Sequence, residues 1–371
     1  MVPLLIESTA SYAGKTMICL GLGLTFQKDG FSVSYFKPFG RSPVREGKIT
    51  TDEDAVLIRN IFNLEEPLES ICPVVVTQDL IIDAYDGKVK NLDKKVIKAY
   101  RDVSRNKDIT LIGGGGSLHE GSLLGLSSLR IARDLKAKVI LVDNAEHEVN
   151  VDCIIRANEG LGDNLIGVVL NRVPPQRIDF IKKRVNPFFK RREITILGII
   201  PLDPLLSSVS VRELQEVLNG QFLFGEDYGA DLIEKFLVGS MNVDRAIEYF
   251  KKSRNKAVIV GGDRPDIILA ALETNTSCVV LTGGHHPNGI IMAKAEEMKV
   301  PVILVKEDTY TTVQKVDQVL GRLRVKEEKK VKAGTRLIQR EINFPLLYKK
   351  AGLKKSSQKT GDRSQKKTKD K

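Results

Sequence analysis

The sequence predicts an α/β protein: a doubly wound parallel sheet with a phosphate-binding loop, followed by a second, smaller α/β unit. Three observations carry this. An apolar strand, residues 3–6, runs into a loop of small residues and then into a helix that opens with Gly14-Lys15-Thr16. Short apolar runs alternate with helical patterns over about two hundred residues, the signature of parallel strands joined by crossover helices. The alternation then restarts beyond Pro204 and continues to about residue 325.

The first strand–loop–helix stretch organises the rest. Small residues ahead of a helix let successive backbone N–H groups converge on a phosphate at the positive helix end. Ser11, Ala13 and Gly14 line that cradle, Lys15 reaches the outer phosphates, and the Thr16 hydroxyl suits a magnesium ion. Gly-Lys-Thr also arises by chance as an ordinary helix start, so its setting between an apolar strand and an apolar helix carries the specificity. Met17, Ile18, Leu20, Leu22 and Leu24 supply the helix, and Gly30 closes it. The tight form of the motif has Gly five residues before Gly14, where this chain has Thr9.

A chain of 371 residues exceeds one ordinary core and suggests at least two domains. It is 42% hydrophobic and 28% charged, a globular balance, and no apolar run is long enough to cross a membrane. Met1 precedes an apolar strand without a basic flank or cleavage site, which argues against export. Cys19, Cys72, Cys153 and Cys278 are single and lack metal spacing or a disulfide framework. They read as small buried hydrophobes in a reducing cytoplasm. The net charge of +11 is uneven: residues 349–371 hold ten Lys or Arg and two Asp, so residues 1–348 carry only +3. The basic end is expected to be a solvated, disordered tail, and specific nucleic-acid binding is not expected.

After the first helix, a strand over residues 31–36 delivers Lys37-Pro38 to its end. In open parallel sheets ligands sit at the carboxyl ends of strands, so Lys37 is expected at the same phosphates as Lys15. The run Asp52-Glu53-Asp54 precedes an amphipathic helix. Acidic residues suit a helix start without further cause, and Asp54 is also a candidate carboxylate for magnesium. A charged helix covers residues 92–105. Residues 108–112 form a buried strand ending in Gly113-Gly114-Gly115-Gly116, a loop read as facing a ligand. His119 and Glu120 then offer an acid–base pair, although neighbours in sequence can point apart. The strand 138–142 ends in Asp143 and Asn144, read as a polar loop that solvates the sheet end. The strand 165–170 puts Asn171 at its tip, where an amide suits the edge of a nucleotide base. The strand 193–200 completes the first sheet.

In the second unit, residues 211–218, 231–238 and 243–252 read as helices. Strands follow at 257–260, 278–281 and 302–305, with helices at 266–272, 290–298 and 312–323. Three strand-end loops, starting at Gly261, Thr282 and Glu307, are expected side by side. They hold Asp263, Arg264, Thr282, Gly283 and Gly284, a combination of backbone and charge suited to a small anion or nucleotide. His285 and His286 have no partners at metal spacing and read as exposed turn residues.

On these motifs the first unit resembles dethiobiotin synthetase and, more closely, the dethiobiotin-synthetase-like amino-terminal part of long phosphotransacetylases. Gly262-Asp263-Arg264, Thr282-Gly283-Gly284 and Asp308-Thr-Tyr-Thr-Thr312 fall in the order of the DRTGG domain that follows there. The resemblance implies a P-loop NTPase-like domain over 1–205, a DRTGG domain over 206–325, and a basic tail over 326–371. It implies ATP and Mg2+ held by Lys15, Thr16, Lys37 and Asp54, with Asn171 at the base. In the synthetase a magnesium-binding Glu stands at the position of Gly113. The acetyltransferase region of the long enzymes is not expected, because only the basic tail follows residue 325.

The functional expectation is a cytoplasmic ATP-binding protein of regulatory or nucleotide-sensing type. The alternative is an ATP- and Mg-dependent ligase that activates a carboxylate or carbamate through Lys15 and Lys37. The second domain is expected to take a small-molecule ligand, and its exposed loops permit a homodimer.

Overall fold

The computed structural model describes residues 1–320 and 328–354. Two compact units result, one built on Met1–Leu202 and joined by the helices Glu328–Glu341 and Phe344–Ala351, the other on Asp203–Arg324.

In the first unit, β1 (Val2–Ser8) is buried from Leu4 onward and takes an interior place in a parallel sheet. The elements that follow are α1 (Lys15–Lys28), β2 (Val33–Phe36), the hairpin β3 (Pro43–Glu46) with β4 (Ile49–Asp52), and α2 (Glu53–Phe62). Then come β5 (Ile109–Gly113), β6 (Lys138–Asn144), β7 (Leu165–Val173) and β8 (Ile196–Pro201). The sheet order is β2-β5-β1-β6-β7-β8. From β1 the chain crosses to the edge at β2, returns to β5 beside β1, and then passes over β1 to run outward through β6, β7 and β8, and this change of direction opens a crevice at the carboxyl ends of the strands.

Helix α1 buries Ile18, Leu20, Leu22 and Phe26, which together point to more than one side. A helix apolar all round must be covered all round. One cover comes from the end of the chain: a Cβ on Gly21 would collide with Ile338 of Glu328–Glu341, and one on Gly334 would collide with Met17. Another comes from α2, whose Phe62 fills the space beside Gly23. At its carboxyl end α1 closes as the sequence implies. Gly30 has φ 86°, its N–H reaches Gln27 O at 3.0 Å, and the Phe31 N–H reaches Phe26 O at 3.0 Å. These are the two bonds of a Schellman cap. Phe26, Phe31, Phe344 and Tyr348 pack as one aromatic group beneath it.

The expectation of a disordered tail from residue 326 is thus corrected over 328–354. Val331, Leu337, Ile338, Ile342, Leu347 and Tyr348 are buried, and Asn343 N–H donates to Leu197 O on β8 at 2.8 Å. The lysine-rich composition masked an apolar stripe at helical spacing. Residues 326–327 and 355–371, where the rest of the expected tail falls, lie outside the described residues.

The second unit begins with β9 (Val209–Ser210), β10 (Gln221–Phe224), β11 (Leu232–Ile233) and β12 (Lys235–Val238), then β13 (Lys256–Gly261), β14 (Thr276–Thr282) and β15 (Val302–Leu304). Its main sheet has the order β10-β15-β14-β13-β12, with only β10 antiparallel. Each inner strand feeds two cores by strict alternation. Val258, Val260, Val279 and Leu281 meet helices Val243–Lys251, Pro265–Leu272 and Gly289–Met298. Ala257, Ile259, Cys278 and Val280 meet helices Val211–Leu218 and Thr309–Leu320.

The helix expected over 231–238 is corrected to strand. Ile233, Phe236 and Leu237 match helical spacing, but Phe236 packs into one core and Leu237 into the other. That is a period of two, and β12 pairs in parallel with β13. Cys153 is also corrected: it is exposed, whereas Cys19, Cys72 and Cys278 are buried. Its helix, Val151–Leu161, buries Ile154, Ala157 and Leu161, and Cys153 lies off that stripe. No helix among the described residues is long and apolar enough to cross a membrane.

Candidate phosphate-binding site

The site is built where β1, β2 and β5 end. Gly14 caps the amino end of α1 in the left-handed region, φ 92°, and a Cβ there would collide with the Asn171 amide. Asn171 Nδ2 donates to Ala13 O at 2.8 Å, so this amide braces the loop from the tip of β7. Thr9 Oγ1 donates to Asp143 at 2.5 Å, and Asn150 Nδ2 donates to the same oxygen at 2.8 Å. Asp143 is fully buried, and it anchors the far side of the loop rather than solvating the sheet end. Ser11 is exposed at the loop's crest, while Ala13 is buried.

Lys15 donates to Ser8 Oγ at 2.7 Å and lies 4.0 Å from Glu7. Burial lowers the pKa of its ammonium, opposed chiefly by the Glu7 charge. Thr16 Oγ1 donates to Asp54 Oδ1 at 2.9 Å. The other Asp54 oxygen accepts from Lys37 Nζ at 2.7 Å, with Asp52 3.8 Å from the same nitrogen. Lys15, Thr16, Lys37 and Asp54, distant in sequence, therefore meet in one charged group. Burial by itself would depress Lys37, but the Asp54 carboxylate outweighs it and holds the ammonium well above the ordinary lysine value. Burial likewise favours the neutral acid at Asp54, and Lys37 prevails and lowers it.

The three acidic residues before α2 are used differently. Asp52 is the amino-terminal cap, accepting from Asp54 N–H and Ser42 N–H at 3.0 Å each. Glu53 is the first residue of α2, and Asp54 is its second. Asp54 turns to the loop and joins Thr16 and Lys37. Two ammonium groups thus face three carboxylates. Hard oxygen donors from Thr16 and Asp54 in an acid-rich group fit magnesium, which binds through one or two carboxylates together with phosphate oxygens and water. Among the described residues no group of three His, Cys, Asp or Glu side chains is placed to hold a metal ion alone.

Sequence reading missed two residues here. Glu7 is fully buried at the end of β1; its carboxylate accepts from the Ser8 N–H at 2.9 Å and from the Ser128 hydroxyl. A carboxylate closing an apolar strand one residue before the loop was the available signal. Tyr35 is the other, since a side chain at Gly113 would run into its hydroxyl. The glycine run leaves room for the chain's own groups: Glu7 beside Gly114, Phe39 beside Gly115, and Glu120 with Ser11 beside Gly116. Glu120 pairs with Arg41, while His119 is exposed, so that adjacent pair is divided.

Residues 3–210 match the family model of an AAA domain, and residues 213–319 match that of the DRTGG domain. The chain belongs to the AAA domain family. Phosphate acetyltransferase of Synechocystis sp. is 26% identical over 356 residues, covering 92% of this chain and 50% of that protein. The Pseudomonas putida enzyme of the same name is 24% identical, covering 94% and 51%. The chain spans about half the length of these relatives. Among solved structures, MinD of Aquifex aeolicus aligns at 19% identity with TM-score 0.34, over 56% of this chain and 84% of that one. The CBS and DRTGG domains of Clostridium perfringens pyrophosphatase, complexed with diadenosine tetraphosphate, align at 18% identity with TM-score 0.28, over 54% and 73%.

Within the DRTGG segment the strand-end loops are tightly tied. Gly283 and Gly284 have φ 79° and 68°, a backbone that glycine adopts without strain. Their N–H groups donate to Glu307 O at 2.8 Å and Val305 O at 2.9 Å. The hydroxyls of Thr282 and Thr309 are 2.7 Å apart. Arg264 forks onto Asp266 with two bonds of 3.1 Å and also donates to Met241 O. Asp263 lies beside Gly261, and His285 and His286 are exposed.

Proposed function

We propose that the AAA domain binds ATP with Mg2+ and that the protein is a nucleotide-dependent regulatory module. The observation that carries this reading is the convergence of Lys15 and Thr16, at the amino end of α1, on the Asp54–Lys37 pair. A helix terminus, a lysine and a hydroxyl beside a carboxylate are the components of a magnesium–triphosphate clamp. In this reading Lys15 meets the outer phosphates, Thr16 and Asp54 hold the metal, and Ser11, Ala13 and Gly14 form the cradle. Asn171 offers its remaining amide positions to the base. The magnesium ion would neutralise phosphate charge. The DRTGG segment would take a second anionic ligand at Asp263, Arg264, Thr282, Gly283 and Gly284, or pair with a second copy.

The alternative is a ligase that phosphorylates a carboxylate, favoured by Lys37 lying next to Asp54 at the same strand ends. The regulatory reading is preferred because Tyr35 fills the position beside Gly113 where the resemblance implies a magnesium carboxylate. Isothermal titration of the full chain with MgATP is expected to give saturable binding that Lys15→Ala weakens by about tenfold or more. Equal binding by the variant would remove the site. Phosphate release in the presence of candidate carboxylates would favour the ligase.

A further inference from the structure

We propose that Glu7 is a built-in competitor for Lys15, a carboxylate that holds the loop lysine when no phosphate is bound and that a nucleotide must displace. The inference rests on the nucleotide-binding reading above and concerns the regulation of that site.

Four observations carry it. Glu7 is fully buried, and a buried carboxylate requires a cation or strong donors. Its cation is Lys15, 4.0 Å away. The lysine is also tied to Ser8 Oγ, which itself donates to Ala10 O and Gly116 O. Lys15 is thereby held against the end of β1. The carboxylate is fixed from the other side by Ser128 and the Ser8 N–H. Finally, Gly114 leaves the space that Glu7 occupies, because a Cβ there would overlap the carboxylate. The pair is thus a built feature of β1, β5 and the loop.

The consequence is electrostatic. A phosphate at the α1 terminus takes Lys15 as its counter-ion and leaves the Glu7 charge with only two hydrogen-bond donors. It also brings a second anion close to Glu7 in a site screened from water. Binding is therefore weaker than the loop alone would give, and the protein answers only to higher nucleotide concentrations. Replacing the carboxylate with an amide keeps its shape, with the amide oxygen accepting from the Ser8 N–H and the amide nitrogen donating to the Ser128 hydroxyl oxygen, while removing the competition.

The test is isothermal titration of the full chain, as wild type, Glu7→Gln, Glu7→Ala, Lys15→Ala and the Glu7→Gln/Lys15→Ala double variant, with MgATP, MgADP and adenosine. Glu7→Gln is expected to tighten MgATP binding by about tenfold or more, equivalent to roughly 1.4 kcal/mol. MgADP should follow, adenosine should not change, and the gain should vanish without Lys15. Equal or weaker MgATP binding by Glu7→Gln overturns the proposal, as does an equal gain for adenosine or a gain that persists without Lys15. Thermal melting accompanies each variant. If Glu7→Gln fails to fold, Glu7→Ala decides with the same sign, and if neither folds, Glu7 is a structural residue and the proposal falls. Wild type and Lys15→Ala binding MgATP equally would instead remove the underlying site.

Discussion

Lys37 Nζ stands 2.7 Å from Asp54 Oδ2, and the opposite oxygen of the same carboxylate accepts from Thr16 at 2.9 Å. One acidic side chain therefore links the strand-end lysine to the first turn of α1. Lys37 is buried and Asp54 partly so, and the loss of one partner from such a pair leaves a charge without compensation. Lys37→Met is expected to lower stability by on the order of 3 kcal/mol in denaturant unfolding. Added magnesium should raise the melting temperature of the variant more than that of wild type, because a divalent ion replaces the lost ammonium. No difference in the magnesium response would separate Asp54 from the metal.

At the cradle, Gly14 is constrained in two ways: its φ of 92° disfavours any side chain, and Asn171 fills the space a Cβ would enter. Gly14→Ala should weaken MgATP binding, and adding Asn171→Ala should not restore it. The second change clears the space but leaves the left-handed backbone, which costs an alanine about 1–2 kcal/mol. Full recovery in the double variant would show that crowding alone mattered.

The cover over α1 makes a claim about stability. Gly21→Ala pushes a methyl group into Ile338, which is only 1% exposed, and overpacking of this kind costs about 1–3 kcal/mol. Deleting residues from 328 onward should do more, since it removes Phe344 and Tyr348 and uncovers Phe26. Differential scanning calorimetry of the two variants checks both. An unchanged transition in the deletion would mean that the helices add nothing to the AAA domain.

The second unit carries its own pH signature. Lys256 is fully buried at the start of β13, donating to Asn275 O at 2.6 Å, and burial lowers its pKa from 10.5 to about 8. Between those two values the unfolded chain binds the additional proton, so the contribution of this group to stability rises with pH from about 8 to about 10.5. Below pH 8 the lysine is charged in both states and its burial cost is constant. Urea unfolding across this range should show a steeper rise for wild type than for Lys256→Met, and parallel curves would contradict the assignment.

By itself the sequence determined the local units of this protein. The apolar strand before Gly14-Lys15-Thr16, the Gly30 cap and the alternating strands of both sheets follow from short-range preferences that act over a few residues. So does the delivery of Lys37, Asp54 and Asn171 to strand and helix ends. Where the same residues satisfy two periods, as Ile233, Phe236 and Leu237 do, short-range preference gave helix, and pairing made strand, with β9 for Ile233 and with β13 for Phe236 and Leu237. Only the tertiary structure decided that Asp54 reaches Thr16, that Glu7 meets Lys15 beneath the loop, that Tyr35 fills the space beside Gly113, and that the chain's basic end supplies the second cover for α1. Each of these joins groups through the register of neighbouring strands or the packing of helices remote in sequence. Such contacts follow from the closure of the whole core, which no local window of residues contains.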